Sequence, residues 1–304
     1  MKIGLIGNGR QSKRIQKILK KKKINFLIYK PENINYFDRD DLKKLDYCDA
    51  IFILTPNNKH YYYINKFHKK KYIFCEKPPV NNKKELKKLS QIKQGKIYFN
   101  YNFRFSKFSE LLKNRKIFSL GNLIFGNLTS THGLAFKKEF INNWRSNKKK
   151  CPKGIFEIVS THWIDLINYH FTIKSIKLVL KNISRVGNSY DTAFTQIICG
   201  NGAILNIFNT YSSPYTKKNF FIFKNGIIEE NENNIEVRGP ALNLDKKGFF
   251  KKPKKILSIK NNEEKDFDNS LEKSINYFLK HVKLKKTFPK KLFRSSIETT
   301  KFCL

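Results

Sequence analysis

The chain is short of arginine, of acidic residues and of cysteine, and it has no long hydrophobic run. Five cysteines, at 48, 75, 151, 199 and 303, form no Cys-x-x-Cys pair and no zinc-ligand spacing. That excludes a disulfide framework and a zinc module, and it reads as free thiols in a reducing, cytoplasmic setting with no metal site. No apolar stretch approaches the roughly 18 residues of a membrane-crossing helix, so no membrane span is expected. A first strand beginning at Lys2 leads us to expect no signal peptide. Asp and Glu number 24 against 62 Lys and Arg, a formal charge of +38. Lysine runs at Lys20–Lys23, Lys148–Lys150 and Lys251–Lys255 (broken by Pro253) would suit a polyanion. Yet only nine of those cations are arginine, the better bidentate phosphate reader, and no nucleic-acid module is visible. Lysine shares A/T-rich codons with the equally abundant Asn, Ile, Phe and Tyr. We therefore attribute the charge to an A/T-rich genome and expect no nucleic-acid partner, while a positive field would draw phosphorylated or nucleotide-linked sugars.

What is present begins at once. Lys2–Ile6 is a short apolar strand, and Gly7-Asn8-Gly9-Arg10-Gln11-Ser12 follows it. Apolar residues at Ile15, Ile18 and Leu19 then recur at helical spacing. Strand, glycine turn and helix in that order are the context of a dinucleotide-phosphate turn: Gly7 turns the chain, Gly9 lets backbone approach a pyrophosphate, and Ser12 stands where a third small residue permits close helix–strand packing. Without a ligand, the same pattern is an ordinary α/β turn.

Alternation continues in the manner of a doubly wound parallel sheet. Strands are expected at Ile24–Tyr29, Ala50–Leu54, Tyr72–Cys75 and Lys96–Phe103, with helices around Tyr61–Lys69 and Lys83–Ile92. Ligands of such sheets bind beyond the carboxyl ends of the strands. At those ends stand Thr55-Pro56-Asn57-Asn58 with His60, then Glu76-Lys77-Pro78, then Asn100-Tyr101-Asn102-Phe103-Arg104-Phe105.

The glycine turn together with Glu76-Lys77-Pro78 resembles the Gfo/Idh/MocA family of nicotinamide-dependent sugar and polyol oxidoreductases, and the likeness runs through essentially the whole chain, weakest between Pro240 and Lys265. The resemblance implies that Thr55, Pro56, Asn57 and His60 line the nicotinamide ribose and that Glu76 is structural. It makes Lys77 the proton donor or acceptor for the sugar hydroxyl or carbonyl, a task that needs a lysine whose pKa a nearby charge or burial lowers. It implies that Trp144-Arg145 and the stretch Gly154 to Asp165 bring substrate-binding groups from the second domain. His162 and Asp165, three apart in an expected helix Phe156–Tyr169, would share a face. Many relatives carry Asp four residues before the histidine, where this chain has Ile158; Glu157 lies one position earlier, rotated by about 100° on an α-helix. Glu157 through a local irregularity, Asp165, or Lys77 with His162 alone are the three ways to fill that role. His60 also reads as a capping or packing residue, Arg104 equally as an ion-pair or a substrate contact, and His162 as a buried structural histidine.

Beyond residue 118 the pattern turns β-rich: Leu123–Thr131, Ile176–Val186, Thr192–Cys199 and Ala203–Thr210, with Gly200-Asn201-Gly202 as a hairpin turn, then Phe220–Phe223 and Ile227–Glu229 around Asn225-Gly226. Helical spacing returns at Asp268–Lys283, and Phe288–Leu304 resembles the family's closing helix. The expected fold is α/β, a Rossmann domain over 1–118 and, over 119–304, a substrate-binding and oligomerisation α+β domain with a largely antiparallel open sheet. In the family that sheet faces a partner subunit, which implies a homodimer or homotetramer.

These readings combine into an NAD(P)-dependent dehydrogenase or reductase acting on a sugar, nucleotide-linked and destined for surface polysaccharide in its finest form. Two alternatives stand beside it: a redox-neutral glycosidase or epimerase on the same scaffold, and a non-catalytic nucleotide-sensing or polyanion-binding protein. NAD-type sites offer a carboxylate at the end of the second strand, about twenty residues past the glycines. Here that strand ends Ile28-Tyr29-Lys30-Pro31, with Glu32 beyond the proline. Lys30 and Arg10 favour NADP over NAD.

Overall fold

A computed structural model describes residues 1–31, 42–93, 95–239 and 244–304. These divide into two units, Met1–Asn102 with Leu271–Phe302 and Leu304, and Phe103–Ser270 with Cys303.

The first unit holds a five-stranded parallel sheet in the order β2-β1-β3-β4-β5, built from β1 Lys2–Ile6, β2 Asn25–Tyr29, β3 Ala50–Ile53, β4 Tyr72–Glu76 and β5 Ile97–Asn100. β3 is buried along its whole length and β4 in all but its last residue. That is why both read as unbroken apolar runs rather than alternating ones. Helices α1 Arg10–Lys21, α2 His60–Phe67 and α3 Lys83–Ser90 connect the strands. α3 starts where the Asn82 side chain accepts the Glu85 N–H, a cap that satisfies one of the helix's orphan donors. The chain leaves β1 toward β2, then crosses back to β3 on the other side, so the order reverses between β1 and β3. Crevices form at such switch points.

Two helices late in the chain complete this unit. In α6 Glu263–Lys283, the Phe278 ring meets Phe52 at 5.1 Å and Phe74 at 5.4 Å; in α7 Lys290–Cys303, Phe293 meets Phe99 at 5.7 Å. The units therefore do not follow a cut at residue 118. Residues from 271 return to the Rossmann sheet because their aromatic rings supply part of its core, and 103–118 belong with the second unit.

The second unit is built on an eight-stranded sheet, β13-β12-β11-β10-β6-β9-β8-β7. Its strands are β6 Leu123–Thr131, β7 Ile173–Lys181, β8 Thr192–Cys199, β9 Ile204–Thr210, β10 Thr216–Phe223, β11 Gly226–Glu230, β12 Asn234–Arg238 and β13 Lys255–Lys260. All pairings are antiparallel except β6 with β9. The α/β Rossmann domain and the largely antiparallel sheet expected from sequence are both present.

Three expected elements differ. β5 stops at Asn100 instead of Phe103, because the Asn100 side chain turns to Glu76 and Asn102–Phe105 winds into a 3₁₀ turn. β7 lies earlier than Ile176–Val186: its ladder with β8 ends at Lys181, and the Asp191 carboxylate takes the Ile183 and Ser184 amides at 2.9 and 2.8 Å. The helix expected over Phe156–Tyr169 is a π-helical turn, Phe156–Ser160, followed by α5 Thr161–Phe171.

Candidate active site

In the first unit the glycine turn and the two loops after β3 and β4 share one end of the sheet. Gly7 has φ 103°, and a Cβ there would stand 2.8 Å from the Leu54 carbonyl, so only glycine makes the turn. A Cβ at Gly9 would meet no protein atom, so protein packing does not explain that glycine. Gly9 is also the N-cap of α1, with no side chain capping it and no acid in the first turn. The helix thus presents its amides and positive dipole end to an anion. Ser12 is fully buried, as a helix–strand packing residue must be. Thr55, buried at the end of β3, has a hydroxyl with no protein partner. A glycine turn, open helix amides and a hydroxyl without a partner among the described residues fit a dinucleotide at the switch point, where Gly7, Gly9, Arg10, Ser12 and Thr55 are the residues that would hold it. Pro56 is exposed and Asn57 half-buried in the adjoining 3₁₀ turn.

Glu76 and Lys77 are placed by a network that the sequence did not reveal. The Glu76 Oε1 accepts from Gln11 Nε2 at 3.1 Å and Asn100 Nδ2 at 2.7 Å. Asn100 is in turn fixed by Ser274, whose hydroxyl donates to its Oδ1 at 2.7 Å. Gln11 stands in the first turn of α1, so this hydrogen bond couples the glycine turn to the end of β4. Burial pushes the Glu76 carboxyl up, opposed by the hydrogen bonds from Asn100 and Gln11 and by the Lys77 charge. Lys77, half-buried, follows directly, and its bond to Pro78 is cis.

His60 is fully buried between two carbonyls: Nδ1 lies 2.8 Å from Pro78 O and Nε2 2.9 Å from Thr55 O. It therefore sits between the loop after β3 and the loop carrying Lys77. Burial lowers its pKa, while the two carbonyls raise it and the Lys77 charge lowers it further. Lys30 is exposed just past β2, whose Tyr29 carbonyl accepts the Gly7 N–H at 2.9 Å. Glu32 lies outside the described residues.

In the second unit Arg104 and Asp165 form a buried bidentate pair, Nε to Oδ2 at 2.8 Å and Nη2 to Oδ1 at 2.5 Å, with relative exposures of 3% and 0%. The ion-pair alternative for Arg104 is the one this geometry takes, and the Asp165 carboxylate is engaged by it. The His162 ring, half-buried, stacks on Phe103 at 4.5 Å. Glu157 Oε1 accepts the Lys153 amide at 2.5 Å. The Phe156–Ser160 turn is π-helical, so the five-residue spacing from Glu157 to His162 is not that of a regular α-helix. Arg145 stacks on the 40% exposed Trp144, 4.6 Å from its ring centroid.

Among the described residues no cluster of His, Cys, Asp and Glu is arranged to hold a metal, no helix is long and apolar enough to cross a membrane, and the five cysteines are buried without disulfides.

Fold and turn geometry together define a dinucleotide-binding Rossmann domain joined to an α+β domain. The family suggested by the motifs is the one found: residues 9–101 match the Gfo/Idh/MocA model, an oxidoreductase family with a NAD-binding Rossmann fold. No functionally curated protein matches the chain in sequence. Among solved structures, levoglucosan dehydrogenase in complex with NADH matches with a TM-score of 0.79 at 15% identity, covering 100% of this chain and 95% of that one. A myo-inositol dehydrogenase from Corynebacterium glutamicum matches at 0.74 and 17%, over 100% and 94%. An oxidoreductase from Agrobacterium radiobacter in complex with NAD+, L-tartaric acid and magnesium matches at 0.76 and 15%, over 100% and 94%. At such identities the likeness establishes the fold.

Proposed function

We propose that the chain is an NAD(P)-dependent oxidoreductase that moves hydride between nicotinamide and a carbon of a sugar or sugar derivative. The observation that carries this reading is the coupling of Lys77 to the glycine turn through Glu76 and Gln11. When bound, the nicotinamide supplies the hydride acceptor or donor. Lys77 takes the proton from the sugar hydroxyl as it becomes a carbonyl, or returns it in the reverse direction. Glu76 and His60 hold the backbone on either side of it. In the second unit we assign His162, Glu157, Trp144 and Arg145 to the substrate, and Arg104–Asp165 to the support of α5.

Three finer readings accompany this one. Lys30 and Arg10, with no carboxylate at the described end of β2, favour NADP. A nucleotide-linked sugar suits the positive surface. Self-association through the open sheet suits an apolar row in register across it, Ile198, Ile204, Phe125, Ile222 and Ile227, flanked by Phe194, Phe208 and Val179. Of these, Val179, Phe194 and Ile204 are 50%, 38% and 43% exposed.

Lys77→Ala tests the central claim. Turnover should fall at least about a hundredfold while cofactor affinity stays near wild type, the scale of losing a positioned proton-transfer group. Unchanged turnover overturns the assignment of Lys77. Sugar conversion without net change in NAD(P)H would give the redox-neutral chemistry instead.

A further inference from the structure

The carboxyl ends of β6 and β9, the one parallel pair in the large sheet, bring His132 and Tyr211 together. Thr131 pairs with Thr210, the His132 amide donates to Thr210 O at 3.0 Å, and the His132 ring lies 4.7 Å from the Tyr211 ring. Arg145 reaches the same place, close enough for its charge to act on both the His132 ring and the Tyr211 hydroxyl. Its backbone is anchored: Ser146 O accepts the Asn188 and Ser189 amides, both at 2.9 Å, and the Ser146 hydroxyl donates to Ile141 O and Asn143 O.

Among the described residues no carboxylate pairs with the positive charge at this spot. Burial is the first cause that lowers the His132 pKa, and the next two are the cations Arg145 and Lys137. Arg145 forms no ion pair with a carboxylate among the described residues; its guanidinium donates to the neutral Asn143 side chain at 3.5 Å. The Asp191 carboxylate is occupied by the Ile183 and Ser184 amides and by the Thr192 hydroxyl at 2.9 Å. A guanidinium whose face lies on a Trp ring keeps its edge N–H donors for a planar or tetrahedral oxyanion. The exposed part of Trp144 offers an apolar platform beside it.

Taking the sugar oxidoreductase reading as given, we propose that Arg145, His132, Lys137 and Tyr211 form an oxyanion subsite, so that the substrate is a sugar bearing a carboxylate or a phosphate, with its ring against Trp144. Arg145 grips the oxyanion, the Trp144 ring orients the guanidinium, Tyr211 backs the His132 ring, and His132 and Lys137 add positive potential.

The test is calorimetric binding of D-glucuronate, D-glucose 6-phosphate and D-glucose to the full chain with NADP present, at fixed ionic strength. At least one anionic sugar should bind about tenfold or more tightly than glucose, the scale of a charge-assisted hydrogen bond, and which one wins tells carboxylate from phosphate. Arg145→Gln should abolish that preference and Arg145→Lys keep part of it. Equal binding of glucose, or a folded Arg145→Gln that keeps the preference, overturns the subsite. Lys137 is exposed, so Lys137→Gln serves where Arg145→Gln does not fold, with a two- to threefold loss expected for a rim charge, about 0.4–0.7 kcal/mol by RT ln of the ratio; no loss there also overturns it. Because binding is read without turnover, the two readings separate. Arg145-dependent binding with no nicotinamide reduction upholds the subsite and sinks the oxidoreductase. Oxidation of glucose bound as well as its anionic relatives does the reverse.

Discussion

Replacing Asp165 by Asn separates a structural from a chemical role for that residue. The carboxylate is wholly buried and accepts from both donors, Nε and Nη2, on one edge of an Arg104 guanidinium that is itself 3% exposed. Asn keeps the size and removes the charge, leaving the guanidinium buried without its counterion. Breaking a buried pair in this way costs about 3–5 kcal/mol, mostly the penalty of the stranded charge. For a unit of this length about 2–4 °C of Tm is lost per kcal/mol, giving a fall of roughly 6–20 °C in calorimetry. The double variant Arg104→Met/Asp165→Leu removes both charges and should recover most of that fall, and the coupling between the two positions is read from the double-mutant cycle. If the pair only supports α5, the double variant keeps measurable turnover. An Asp165→Asn protein whose Tm moves by less than about 2 °C while kcat drops a hundredfold would refute this reasoning and return Asp165 to the chemistry.

Three further outcomes follow from the geometry. Lys30→Ala should weaken NADP more than NAD in fluorescence titration, with the difference shrinking as salt rises; equal losses, or tighter NAD than NADP in the wild type, defeat the NADP preference. His60, buried in the fold, has a folded-state pKa below its unfolded value of about 6.5. The unfolded chain therefore binds more protons in that window, so stability is present above about pH 6.5 and is lost as pH falls toward the folded pKa. His60→Gln should flatten part of this slope in pH-dependent denaturation and raise KM for the cofactor less than it lowers kcat; an identical slope argues that the imidazole does not titrate with unfolding. Phe208→Asp, in the middle of the open sheet face, should shift the chain to a smaller species in light scattering without unfolding it, and an unchanged mass shows that this face is not the self-association surface.

What could be read from the sequence was local. Gly7, Gly9 and Lys77 announce themselves because a turn with positive φ and a strand-end Lys-Pro need particular residues at adjacent positions, and the strands of the first unit show as apolar runs because both faces are covered. Partnerships across long separations do not show. Nothing near Arg104 says that its counterion is 61 residues away, and Gln11 looks like one more polar residue on an exposed helix until the sheet brings Glu76 to it. Late helices joined to an early sheet are hidden for the same reason: Phe278 carries helical periodicity but no sign that Phe52 and Phe74 are its neighbours.

The π turn marks the sharpest boundary between the two kinds of information. Over five residues the periods of an α-helix and a π turn are too similar for hydrophobic spacing to tell them apart, so the sequence offers Ile158 where an acid was expected and leaves Glu157 facing elsewhere. With Phe156–Ser160 wound as a π turn, the regular-helix spacing that set Ile158 four residues before His162 on one face no longer applies, and the backbone, not the side-chain identity, supplies the difference. The turn is held by the Lys153 amide on the Glu157 carboxylate and by the Thr161 hydroxyl on the Phe156 and Glu157 carbonyls. Spacing on a regular helix is therefore the wrong measure for this stretch, and only the backbone tells that it is.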